Sequence, residues 1–261
     1  MSATSAGRAA RRRILLLDVG NSRIKWALMH GDRIGRLHAA TPGTRPGTPP
    51  AALLRALPVH LDAIHLVSVA RKSRTRALAR ALRRAAGARV VILATTARAA
   101  GVRCGYREPW RLGADRWAGV IGAYHLHTPR RAAVVVDVGT ALTIDFVSRS
   151  GQHGGGVIVP GPELMVASLL QGTHGIRARA ARDRHGAPTL FARSTYEALV
   201  EGSRQAIAAL ITRARAEAGR RYGPDVALVL TGGGAQALRP WLRRPYRVVP
   251  DLVLRGLAAL A

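Results

Sequence analysis

Two short segments of this sequence place a carboxylate where an apolar strand runs into a glycine. In Asp18-Val19-Gly20-Asn21-Ser22-Arg23-Ile24-Lys25, the apolar run at 14–17 delivers Asp18 into a tight turn. Gly20 lets the backbone turn sharply and approach a ligand. The N–H groups of residues 20–23 can cradle phosphate oxygens. Asp18 offers a hard oxygen to a Mg²⁺-bound phosphate, directly or through water. Lys25 alternates onto the same face as Arg23 and offsets phosphate charge. The second segment is Asp137-Val138-Gly139-Thr140-Ala141-Leu142-Thr143-Ile144-Asp145. Its small residues permit close approach, the hydroxyls of Thr140 and Thr143 can donate to phosphate oxygens, and Asp137 can hold a cation. Read singly, each segment is also an ordinary β-hairpin with an Asp in its turn. The pair is more specific, because residues 15–20 match residues 134–139 at a constant spacing of 119.

Three further segments carry chemistry. Gly113-Ala114 opens a helix with Asp115 and Arg116 near its start, after Tyr106 and the 107–112 stretch. There Asp115 can accept a proton from a substrate hydroxyl, and Arg116 can clamp an anion bidentately. The plainer alternative is a capping Asp beside a surface Arg. Thr231-Gly232-Gly233-Gly234 lets a flat ring such as adenine lie against backbone, and Gly154-Gly155-Gly156 with Pro160-Gly161-Pro162 lines a cleft or simply turns the chain. The glycines fit neither a Rossmann fingerprint nor a Walker P-loop, and no GxSxG is present. His125 and His127 point in different directions on a helix and make a poor metal pair. The single cysteine, Cys104, excludes a disulfide framework and a CxxC zinc site and reads as an inert small residue.

The elements needed to position these groups repeat twice. Strands are expected at 14–18, 23–30 and 34–39, then a helix at 51–57, a strand at 63–69, a helix at 73–86 capped by Ser73 and ended by Gly87, a strand at 89–93 and a helix at 114–126. The second half gives strands at 133–137, 141–147 and 155–159, and helices at 163–170 and 195–218. A strand at 226–230, a helix at 235–242, a short strand at 247–249 and a last helix capped by Asp251 follow. The expected fold is α/β: two related lobes, each a mixed sheet with flanking helices, with a ligand cleft between them. The expected division is a basic tail at 1–13, an N-terminal lobe at 14–127 and a C-terminal lobe at 128–261.

Composition narrows the field. The 261 residues are 48% hydrophobic and 21% charged, the balance of a chain with a core. No apolar run approaches the roughly 20 residues of a membrane span. The basic N-terminus is followed by an apolar run too short for a signal-peptide core, so a cytoplasmic protein is expected. The net charge is +27, and all basic residues but Lys25 and Lys72 are arginine. Nucleic acid is the obvious partner for such charge, but the arginines are spread along the chain with abundant alanine. A nucleic-acid footprint clusters and interleaves with aromatics, and aromatics are 4% here. A GC-rich coding bias accounts for the arginine better, so no nucleic acid is expected as partner.

The duplicated Asp-x-Gly hairpins and the late glycine turn resemble the actin-like ATPase superfamily of sugar kinases, Hsp70 and actin, which implies duplicated ribonuclease H-like lobes. The order of Asp18 to Ser22, Tyr106 to Arg116, Asp137 to Thr143 and Gly155 to Gly161 resembles type III pantothenate kinase more narrowly. That resemblance implies ATP-dependent phosphorylation of pantothenate to 4'-phosphopantothenate, the first step to coenzyme A. It implies a homodimer, Mg²⁺, and a monovalent cation, K⁺ or NH₄⁺. By motif, Asp18, Val19, Gly20, Asn21, Ser22, Arg23, Ile24 and Lys25 would bind ATP with Thr140, and Asp18 would also serve Mg²⁺. Asp115 would be the general base and Asp137 the monovalent-cation ligand. Tyr106, Gly113, Ala114, Asp115, Arg116 and Thr195 would hold pantothenate. Ser22 keeps the family's hydroxyl, whereas Ala192 and Ser194 depart from its Gly and Asn before Thr195. The competing reading is a nucleic-acid-associated transcriptional accessory protein on the same fold.

Overall fold

Strand β1 (Arg13–Val19) is apolar without a break over residues 14–17, because it is covered there on both faces. In the computed structural model, which describes residues 12–43, 47–180 and 189–261, it runs through the middle of a mixed sheet. The order is β3 (Arg33–Ile34), β2 (Ile24–His30), β1, β5 (Ala63–Ser68), β6 (Arg89–Ile92), with β4 (His38–Ala40) also on β2. β1 pairs antiparallel with β2 and parallel with β5, and helices α1 (Ala51–Arg55) and α2 (Lys72–Ala86) lie in the crossovers. Period-two alternation sorts the strand's side chains. Leu15, Leu17 and Val19 pack with Trp26, Leu78 and Leu82, while Ile14 and Leu16 pack with Ala118, Val253, Leu254 and Leu257. Each such leucine contributes about 1.5–3 kcal/mol by leaving water.

The second face is closed by α3 (Ala114–His125) and α7 (Leu252–Ala258). A Cβ on Gly256 would overlap the backbone of Ala118, and one on Gly122 would overlap the Leu252 carbonyl. The two helices therefore touch backbone to backbone, which only glycine permits. A small hairpin of β7 (Arg98–Ala99) and β8 (Val102–Arg103) completes this unit, which also takes in Ser150–His153.

The other compact unit, Arg131–Arg149 with Gly154–Pro250, is built to the same plan. Its sheet order is β11 (His153–Pro160), β10 (Ala141–Val147), β9 (Ala132–Val138), β12 (Val226–Thr231), β13 (Arg247–Val248). Val134, Val136 and Val138 pack against Ile207, Ala208 and Ile211 of α6 (Thr195–Tyr222). α4 (Pro162–Gly172) and α5 (His174–Ala180) precede α6.

Several expectations are corrected. Helix α2 starts at Lys72, with Arg71 at the N-cap and no side-chain cap, so Ser73 does not cap it. The inner turn is fixed instead by Thr75, whose hydroxyl pairs with that of Ser68 at 2.8 Å. Gly87 does end this helix, at φ +62°. The strand expected at 34–39 breaks into β3 and β4, because Gly35 turns back to the Leu28 carbonyl. The helix at 235–242 is 3₁₀, with Pro240 inside it. Asp251 stands at the last helix's N-cap but bonds Arg255 rather than the backbone. Arg12 and Arg13 are not tail: Arg13 opens β1 opposite His30, and Arg12 accepts from Gly31 N–H. The rest of the tail, residues 1–11, lies outside the described residues. The last eleven residues group with the first unit because α7 packs on α3.

Candidate active site

The helix start at Gly113 brings five of the sequence-predicted residues together, Tyr106 and Gly113 to Arg116. Gly113 is the N-cap of α3, and a Cβ there would stand 2.6 Å from Asp115 Oδ1. A side chain at 113 would thus push the carboxylate out of place. Asp115, in the first turn, accepts the Arg116 N–H at 2.8 Å on Oδ1. A carboxylate at this end of a helix is favoured by the positive pole. Arg116 is only 7% exposed, so its charge needs partners. Its Nη1 donates to the Tyr106 hydroxyl at 2.9 Å, and the guanidinium lies 5.7 Å from the Tyr106 ring. Ala114 is half-buried against the second face of the sheet.

One residue of this cluster is absent from the sequence-based set. His153 is wholly buried and stacks on Tyr106, with ring centres 5.9 Å apart. Its Nδ1 accepts the Gly105 N–H at 3.3 Å, and its ring meets Trp117 edge-on. His153 thus fixes both the Tyr106 ring and the backbone just before it. The one signal in sequence was a histidine opening the Gly154-Gly155-Gly156 run.

The first Asp-x-Gly turn spans residues 20–23 and closes by Gly20 N–H to the Arg23 carbonyl at 3.0 Å. Asp18 pairs across the strands with Lys25, and Val19 with Ile24. Asn21, Ser22 and Arg23 are exposed. Alternation puts Asp18 on the side of Ile14 and Leu16, the side covered by α3, whose first turn carries Asp115.

The second turn is shorter and walled by glycine. Gly139 N–H bonds the Ala141 carbonyl at 3.1 Å, and Asp137 pairs with Thr143 on β10 and Thr231 on β12. A Cβ on Gly232, where φ is +90°, would overlap Asp137 Oδ1 and the Val138 carbonyl. One on Gly161 would overlap the Gly139 carbonyl. Gly234 N–H donates to the Val138 carbonyl at 3.0 Å, and Gly161 N–H to that of Thr140 at 2.9 Å. Thr140 is exposed beside this carboxylate. The donor set is all oxygen, a carboxylate among backbone carbonyls, which suits a hard cation. Among the described residues no three His, Cys, Asp or Glu side chains cluster as a metal cage.

Thr195 stands elsewhere in its unit. It opens α6 just after Ser194, whose Oγ accepts the Glu197 N–H at 3.3 Å. Beside it, α4 and α6 flank a cavity of about 490 Å³ lined by Val166, Leu170, Tyr196, Glu201 and Arg204 among others.

A sequence model of the family described as type III pantothenate kinase matches residues 14–217. The chain is 39% identical over 246 residues to a type III pantothenate kinase of Chromohalobacter salexigens, spanning 94% of this chain and 85% of that one. It is 38% identical over 252 residues to one of Chromobacterium violaceum, spanning 95% and 98%. Among solved structures, a Campylobacter jejuni protein assigned to a Baf family of transcriptional activators superposes with TM-score 0.58 at 21% identity, over 93% of this chain and 94% of that one. The activator of 2-hydroxyisocaproyl-CoA dehydratase from Clostridium difficile, with bound ADPNP, gives 0.53 at 11%, over 95% and 92%. At these identities the likeness concerns the fold alone. With the repeated strand order, it makes both units ribonuclease H-like lobes of the actin-like ATPase type.

Proposed function

Because this chain belongs to the type III pantothenate kinase family, we propose that it transfers the terminal phosphoryl group of ATP to the primary hydroxyl of pantothenate. The products are 4'-phosphopantothenate and ADP, the first step of coenzyme A synthesis. The observation that carries the residue assignment is the cluster of Asp115, Arg116, Tyr106 and His153 at one helix start.

Asp115 accepts the hydroxyl proton as the oxygen attacks the phosphorus, and the bond to the ADP oxygen breaks in line. Phosphoryl transfer asks for positioning and charge neutralisation more than covalent help. The pantothenate carboxylate pairs with Arg116, whose planar donors Tyr106 keeps aligned. The turn at Asp18 to Lys25 and the hydroxyl of Thr140 hold the ATP phosphates. Asp18 would reach a Mg²⁺ bound with the phosphates and Asp137 would hold a K⁺ or NH₄⁺ ion, and such ions would supply positive charge for the oxygens of the transferring group. The seat of the reaction is the cytoplasm, which supplies ATP; among the described residues no helix is long and apolar enough to cross a membrane.

A homodimer is part of this reading. Helix α4 is apolar yet buries none of its residues, and Leu164 and Leu169 stand 41% and 42% exposed. Such a face is expected against a second copy, with Thr195 at its margin.

The test is ADP release with and without pantothenate, in Mg²⁺ with K⁺ and then Na⁺. Pantothenate-dependent turnover that needs K⁺ is expected. Asp115→Asn is expected to lower kcat by roughly 10²–10⁴-fold with nucleotide affinity retained. Turnover indifferent to pantothenate, or an Asp115→Asn protein of full activity, would overturn the assignment.

A further inference from the structure

The N-terminal half of α2 contributes a basic side chain to the first Asp-x-Gly turn that no motif marks. Arg74 lines a small cleft with Gly20, Asn21, Thr48, Ala70 and Thr75. Its space is about 20 Å³, room for one group the size of a water molecule or a phosphate oxygen. That suits a contact to one phosphate and not the seat of a whole nucleotide. No carboxylate stands among the described residues that line it.

The position of Arg74 is held from beneath. β5 ends at Ser68, which pairs with Val19 across the sheet, so α2 begins at the strand edge where the turn sits. The Ser68 Oγ bonds Thr75 Oγ1 at 2.8 Å and accepts the Ala70 N–H at 3.2 Å. The Thr75 hydroxyl also reaches the Arg71 carbonyl at 3.3 Å. Thr75 is buried, whereas Arg74, one residue earlier, is half-buried and faces the cleft. Leu78, one helical turn on, is packed with Leu15, Leu17 and Val19. This places Arg74 on the opposite side of the sheet from Asp18, so the two side chains flank the turn from its two faces.

We propose that Arg74 is a further phosphate-binding residue of the nucleotide site, contacting the ATP phosphates beside the Gly20–Asn21 backbone. This rests on the kinase reading above, because it takes the turn as a phosphate cradle. A guanidinium adds charge-assisted donors in a fixed plane, and a half-buried one is screened less than one in water.

The experiment measures equilibrium affinity for Mg-ATP and for adenosine, in the wild type, Arg74→Gln, Arg74→Lys and Arg76→Gln. Arg76 lies two positions on, on the exposed face of the same helix. The expected result is an ATP affinity about tenfold weaker in Arg74→Gln, with adenosine affinity within twofold of wild type. Arg74→Lys should recover part of the loss, and Arg76→Gln should match wild type. KM for ATP should rise with Arg74→Gln while KM for pantothenate holds. Unchanged ATP affinity in Arg74→Gln, or an equal loss for adenosine and ATP, overturns the proposal. A wild type that binds ATP but never turns over pantothenate would defeat the kinase reading and leave the Arg74 test intact.

Discussion

The two Asp-x-Gly turns are alike in sequence and unlike in their surroundings. The first has residues 20–23 between its strands, and Asn21, Ser22 and Arg23 are exposed. The second has only Gly139 and Thr140 between its strands, and its carboxylate is boxed by Gly232 and, through the backbone, by Gly161. Opposite the carboxylate stands Lys25 in the first and Thr143 in the second. A duplicated motif has thus diverged into an open turn that carries Arg23 and Lys25 and a closed one with no basic side chain. On the function proposed above, the open turn is the one that follows a flexible polyphosphate, and the closed one, with its carboxylate at a fixed place among carbonyls, is the one that seats a cation.

The largest effect should come from filling the closed turn. Gly232→Ala adds a Cβ that overlaps Asp137 and the Val138 carbonyl at a positive φ. It should destabilise the protein by about 3 kcal/mol or more, read as a fall in urea midpoint. An unchanged midpoint would mean that the wall is soft and the comparison false.

The carboxylates come next. Asp18→Asn should lower kcat by about 100-fold in any monovalent salt. Asp137→Asn should lose a similar factor in K⁺ and show little difference between K⁺ and Na⁺. Identical salt responses in the two variants would erase the functional difference drawn between the turns.

Gly20→Ala is the mild counterpart of Gly232→Ala. Its Cβ would stand 3.1 Å from the Arg23 carbonyl, at ordinary φ. A loss of about 1 kcal/mol or less is expected, with KM for ATP rising more than stability falls. A loss as large as that of Gly232→Ala would contradict an open first turn.

The smallest effect concerns the sheets beneath. Beside Leu16 the first sheet has His65, where the second sheet has Val229 beside Val135. Burial pulls His65 below its ordinary value of 6.5, helped by Arg12 and Arg89, against a raising bond to the Leu257 backbone. The unfolded chain therefore takes up this proton first as pH falls through 6.5. Stability is full above 6.5 and declines below it, until the folded protein is protonated too. His65→Val should flatten Tm between pH 7.5 and 5.5. A slope identical to wild type would show that His65 does not carry it.

Much of this was legible in sequence because it follows from local pattern. β1 and β9 stand 119 residues apart in the structure, as the matched segments do in sequence. The helix after Gly113 was legible from its glycine start, and Ser194 was read only as a departure although it caps α6. What escaped depends on contacts distant along the chain. His153 is 47 residues from Tyr106, and nothing local says that the two rings stack. Ser73 looked like a cap because of its type, yet the Ser68–Thr75 bond sets the helix start. Arg74 sits among so many arginines that composition hid it.

The glycine contact between α3 and α7 has a consequence for synthesis. The second face of the first sheet is finished by residues 252–258, more than a hundred positions after the strands and helix they cover. Translation therefore delivers the whole second unit before the first can close its core. Until the ribosome has passed residue 258, Ile14, Leu16 and Ala118 lack Val253, Leu254 and Leu257 to pack against. The unit that begins first is the one completed last, and its nascent form offers chaperones an apolar sheet face for most of elongation.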